Sequence, residues 1–224
     1  MKGFVLTLRN SKQTAKLPDL RRLLARAKVF IKRHGLQAVL CLLFLFGLVI
    51  GVTFAQGVSR TTYERLDLLF VTNISARIQM TLPQIFLSCF VSYFLFGFTA
   101  FLCALSCWGF VAVPMICTGF GFTAGLSSAF VFSLYHMSGA GFYILVILPG
   151  TLLFLLTLVY YTAYCFRLSR RFAVLSLMGN DREPELRSHL KVFLKKSLLT
   201  LLSVITCSIV DMVLWMLFAD KFQF

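Results

Sequence analysis

Between Arg77 and Arg167 there are 89 residues without one Asp, Glu, Lys or Arg. Soluble domains carry about 25% charged residues, so a stretch of this length and kind excludes a water-facing surface there. Acids are scarce along the whole chain, eight against 22 Lys and Arg. Catalytic signatures are missing too. The chain has no Walker motif, no HExxH, no GxSxG and no pair of intramembrane aspartates, which leaves an enzyme active site without a basis. Seven cysteines (41, 89, 103, 107, 117, 165, 207) fall within or at the ends of apolar runs, so no disulfide framework is visible. Cys103 and Cys107, four apart on one helix face, have no neighbouring His or carboxylate and read as packing residues rather than a metal site. His136 reads as an interfacial side chain, and His34 and His189 sit among basic residues. No metal and no cofactor is expected.

What the chain has in excess is apolar surface. Hydrophobic residues make up 59% of 224, with 25 Phe, against about 45–50% in soluble domains. This is the composition of a membrane protein. The net charge of +14 would suit nucleic acid, but its placement does not. Ten basic residues lie in 1–35 and eight in 167–196, with four elsewhere. Such blocks are retained in the cytoplasm and attracted to anionic lipid, so lipid is the expected partner and nucleic acid is not.

Two parts follow: a basic cytoplasmic tail, residues 1–35, and one five-helix membrane domain, residues 36–220. In the tail, PDLRRLLARAKVFIKRHG places Leu20, Leu23, Leu24, Ala27, Phe30 and Ile31 on one face, with Asp19 as N-cap and Gly35 as C-cap. A basic amphipathic helix of this kind lies along the inner membrane surface. The first span, 36–55, is a retained anchor, because its leader and apolar run are both too long for a signal peptide. Residues 56–84 form an outer segment, with a short amphipathic helix suggested by Leu66, Leu69, Phe70 and Ile74 and a weak sequon at Asn73-Ile74-Ser75.

With Arg77 outside and Arg167 inside, an odd number of spans connects them, and the length suits three: 85–105, 109–135 and 141–165. Their connections are Ser106-Cys107-Trp108 inside and His136 to Ala140 outside. After Gly179-Asn180 as a breaker, Pro184 starts an amphipathic helix carrying Leu186, Leu190 and Phe193, and the last span runs 198–218. The fold class is therefore all-α: a multi-pass cell-membrane protein with five transmembrane helices, N-terminus cytoplasmic and C-terminus extracytoplasmic. That orientation puts 18 of 22 basic residues inside.

Glycine in a helix interior costs roughly 0.5–1 kcal/mol relative to alanine, yet VPMICTGFGFTAG places Gly119, Gly121 and Gly125 in an apolar run. In lipid, close backbone packing matters more than apolar burial. Gly121 and Gly125 form a GxxxG pair, and Gly47 and Gly51 in GLVIG form another. Either the two spans cross there, or the groove docks a partner, or Pro114 and Gly119 break the span to line a path. Pro114 at the start of the third span is tolerated because a first turn lacks internal acceptors. Self-association into a homo-oligomer is compatible with the same grooves. Asp211, the one carboxylate inside a span, lies roughly 10 Å from the outer end at about 1.5 Å per residue. It needs a neutralising arrangement: a proton, a hydrogen bond from Ser or Tyr, or His136.

Taken in order, these features resemble the stage II sporulation protein M family. They are IKRHG before a first span with GLVIG, VPMICTGFGFTAG, ILP at 147–149, and a basic stretch before SIVDMVLWMLF, with Asp211 where a glutamate is common. The broader family often has PHG followed by an acid where this chain has Pro149-Gly150-Thr151. The resemblance implies a non-catalytic scaffold that anchors peptidoglycan-degrading enzymes at the septal membrane of a spore-forming bacterium during engulfment. Its docking surfaces would be loop 56–84 and the grooves. The alternative is a permease subunit powered by a separate ATPase, with the cytoplasmic helices as the coupling elements.

Overall fold

The computed structural model describes residues 20–57, 81–178 and 183–218. The Asp19 cap, the amphipathic helix and sequon expected at 66–75, the Gly179-Asn180 breaker and the C-terminal tail lie outside these residues. The described backbone is helical: α1 (Leu20–Gly57), α2 (Leu82–Leu105), α3 (Gly109–Phe142), a π-helical segment (Tyr143–Ile147), α4 (Leu148–Met178) and α5 (Glu183–Phe218). Five of the helices are long and apolar enough to cross a membrane. The chain divides into two units, 1–35 and 36–224, and the packing below belongs to the second.

Several span boundaries differ from the sequence expectation, each for a local reason. α2 begins at Leu82 rather than 85, since Pro83 suits a first turn and the Gln84 side chain accepts the Thr81 N–H at 2.9 Å. The expected loop at 136–140 is helical. The segments on either side of it still pack together, with Phe120 against Phe154 and Cys117 against Thr162, and the Tyr143 N–H bonds the Ala140 and Gly139 carbonyls. Small residues in SGAG let the chain turn while keeping its backbone bonds, as a lipid setting demands. α4 continues past 165 to Met178, because no Gly or Pro interrupts it. The amphipathic helix and the last span are one helix, α5, for the same reason: nothing after Pro184 breaks it. Cys103 lies in the last turn of α2 while Cys107 lies beyond it in the turn, so the two do not share a helix face.

α3 is the central element. Within its apolar window 56% of residues are buried, against 22% to 33% in the other spans. Phe120 is the hub, with ring centroids 5.7 Å from Phe44, 5.2 Å from Phe96 and 5.1 Å from Phe154. Toward the basic end, Phe193 of α5 is fully buried and stacks on Phe101 at 5.2 Å. There the Lys196 ammonium lies 4.0 Å from the Tyr164 ring centroid and 5.0 Å from that of Tyr160, tying α5 to α4. On α2, Phe86, Phe90, Phe94 and Phe98 stack one turn apart. Leu42, Met115 and Leu156 are among the large apolar side chains left exposed, the surface a bilayer covers.

Candidate functional site

The two glycine pairs meet. A methyl group added to Gly47 would overlap the Thr118 carbonyl, and one on Gly51 the Phe122 carbonyl. Reciprocally, one on Gly121 would overlap the Phe44 carbonyl and one on Gly125 the Leu48 carbonyl. α1 and α3 therefore cross backbone to backbone, each helix supplying the gap for the other. Backbones this close favour Cα–H to carbonyl contacts, worth about 0.5–1 kcal/mol each.

Gly119 is not part of this crossing. A methyl there would meet only the Phe96 ring edge at 4.0 Å, and α3 runs unbroken through it. Pro114 lies within α3, one turn further in than the start of the helix. The first-turn explanation for it is thus corrected. Proline there withholds the donor that Phe110 would accept four residues back, at a partly exposed helix end where the loss costs least.

Pro149 acts on the backbone before it. Lacking an N–H, it cannot bond the Leu145 carbonyl, and the preceding turn widens so that the Leu148 N–H reaches five residues back to Tyr143. The π segment Tyr143–Ile147 results, and it re-aims α4 so that Gly150 faces α5. A side chain at 150 would occupy the position of the Asp211 carboxyl group. Asp211 is 9% exposed, and its Oδ2 accepts the Tyr93 hydroxyl from α2 at 2.5 Å. Of the arrangements considered for this acid, the hydrogen bond from a tyrosine is seen, with Tyr93 as the donor. The His136 side chain lies outside the described side chains.

Beside this carboxyl group is a cavity of about 70 Å³. Its polar lining includes Ser92 and Tyr93 from α2, Thr123 and Ser127 from α3, Tyr143 from the π segment, and Thr151 and Asp211 from α4 and α5, with Cys89 of α2 and Trp215 of α5 also at its wall. Among the described residues no cluster of three His, Cys, Asp or Glu exists that could hold a metal. No protein-family model, no curated protein and no solved structure matches this chain.

Sequence reasoning found Asp211 and Pro149 and missed Tyr93, Gly150 and the hydroxyl lining. Only the Pro-Gly pair at 149–150 carried a signal, since a proline followed by glycine in a span marks a place where backbone departs from α and something approaches closely.

Proposed function

We propose that this chain is a non-catalytic membrane scaffold of the kind found in the stage II sporulation protein M family. It holds peptidoglycan-degrading enzymes at the septal membrane during engulfment, with its N-terminus cytoplasmic and its C-terminus extracytoplasmic. The observation that carries the proposal is the α1–α3 crossing, because the motifs behind the resemblance, GLVIG and GFTAG, are the ones in contact. A backbone-to-backbone lock fixes the first span to the centre of the bundle, and a platform that positions enzymes needs such a fixed frame. The orientation draws support from Ser169, whose hydroxyl donates to the Ser106 carbonyl at 2.7 Å. The turn 106–108 thus lies at the same end as Arg167, Arg170 and Arg171.

The permease alternative is favoured by one feature, the cavity beside Asp211, whose mostly apolar wall carries several hydroxyl groups. Affinity purification of the tagged protein in mild detergent from its native cells during starvation separates the two. Co-purified cell-wall hydrolases or their membrane anchors support the scaffold. A co-purified nucleotide-hydrolysing subunit, stimulated by this chain, would replace it with the permease.

A further inference from the structure

Gly97 stands apart from the glycines of the crossing. A methyl group added to it would meet nothing within 4 Å, so no neighbouring helix approaches it, although glycine in a helix interior is unfavourable. The space it leaves belongs to a groove between α2 and α5 with a volume of about 340 Å³. Phe94, Phe98 and Phe101 form the α2 wall, and Leu194, Leu198 and Leu201 form the α5 wall. Along α5 the groove runs from Leu194 to Val204, about 15 Å at ~1.5 Å per residue. That is half of a ~30 Å hydrocarbon core, the depth of one leaflet.

One end of the groove is polar. Phe101 and Tyr161 both stack on Phe193, with ring centroids 5.2 and 6.2 Å away, which puts Tyr161 at the basic end. Tyr161 is 2% exposed and lines the groove, and its hydroxyl has no hydrogen-bond partner. Ser197 and Cys165 are its polar neighbours, and neither reaches hydrogen-bonding geometry. A buried donor left unpaired is costly. Just beyond lie Lys191 and Lys195, both exposed. Lys191, Leu194, Leu198 and Leu201 follow the spacing of one helix face. No Asp or Glu occurs between Glu185 and Asp211 or anywhere in α2, so no acid on either wall balances these cations. An apolar slot one leaflet deep, a donor at its mouth and positive charge above it match the three parts of an anionic phospholipid. A partner helix fits less well, because its own carbonyls are already bonded within it.

We propose that the α2–α5 groove seats one anionic phospholipid from the leaflet at the basic end. An acyl chain lies over Gly97, an ester carbonyl accepts the Tyr161 hydroxyl, and Lys191 and Lys195 hold the phosphate. A basic segment attracts acidic lipid diffusely, whereas this seat takes a single molecule by its tail, its ester and its charge. It serves a scaffold or a permease alike, because it needs only that α2 and α5 cross a bilayer.

The test is native mass spectrometry of the full chain in mild detergent, titrated with phosphatidylglycerol and with phosphatidylcholine of the same acyl chains. One tightly retained phosphatidylglycerol is expected, bound about tenfold more tightly than phosphatidylcholine, as two lysines near an anionic group provide. Lys191→Gln with Lys195→Gln should erase that preference. Tyr161→Phe should weaken both lipids about fivefold, the worth of one hydrogen bond. Gly97→Leu fills the groove without meeting another atom at its Cβ, and it should remove the retained lipid of either kind. Should that variant not fold, phosphatidylglycerol with a photoreactive group on its tail locates the site in the unaltered chain, with label expected in 94–101 and 194–204. Equal retention of the two lipids by the unaltered chain overturns the proposal, as does retention unchanged by Gly97→Leu or by Tyr161→Phe. Label confined to other segments overturns it too. A dimer that Gly97→Leu dissociates would give the groove to a second copy of the chain instead.

Discussion

The α1–α3 crossing and the Asp211 cavity lie in one core and use glycine for opposite ends. At Gly47, Gly51, Gly121 and Gly125 the missing side chain lets carbonyl-bearing backbone close in. At Gly150 the missing side chain admits a carboxyl group, and hydroxyls stand among the apolar side chains that line the adjoining space. The first removes volume to fasten two helices. The second removes volume to accommodate a group that lipid would reject. In a bilayer, where apolar burial contributes little between helices, a glycine is informative chiefly through what fills the space it leaves.

The sharpest way to break this contrast is Gly121→Leu with Gly125→Leu. The neighbours at both sites are backbone and cannot turn aside, so the cost should exceed the about 1–3 kcal/mol of ordinary overpacking. Failure to recover a monodisperse protein in detergent is the expected outcome, and a melting temperature near wild type would remove the crossing from the description of the fold. Gly150→Ala should cost about 1–3 kcal/mol, because the displaced neighbour is a side chain held by Tyr93. In an Asp211→Ala background the same change should cost far less, giving a coupling of about 0.5–3 kcal/mol in a double-mutant cycle of thermal stability. Additive effects would mean that the carboxyl group does not occupy the Gly150 notch.

Asp211→Asn retains an acceptor for the Tyr93 hydroxyl, so unfolding should shift by less than about 1.5 kcal/mol. Asp211→Leu, which leaves that hydroxyl facing an apolar side chain, should cost about 1–3 kcal/mol. Equal losses from both would place the value of the acid in its volume rather than its hydrogen bond. The smallest effect is expected at Gly119→Ala. With no heavy atom nearer than 4.0 Å to the added carbon, the better helix former should leave stability unchanged or raise it by about 0.5–1 kcal/mol. A clear loss would show that all three glycines of VPMICTGFGFTAG serve the crossing.

Composition and charge placement by themselves determined that the chain is all-helical with five membrane-crossing segments. That followed because a bilayer accepts few backbone solutions and because 89 charge-free residues fit no other setting. Asp211 was legible as unusual for the same reason, and the GxxxG spacings marked two surfaces of close approach. The sequence carried no information on which partners those surfaces choose. Gly121 and Gly125 look alike whether they face Phe44 and Leu48 or another protein, since a glycine specifies a gap and not its occupant. The start of α2 was blurred where capping and proline chemistry at Thr81 to Gln84 shifted it by about a turn. Tyr93 and Asp211 are 118 residues apart, and no local pattern pairs them. Only the three-dimensional packing of α2, α4 and α5, with Pro149 widening the turn that aims Gly150, brings a phenol, a carboxyl group and an empty glycine position to one point.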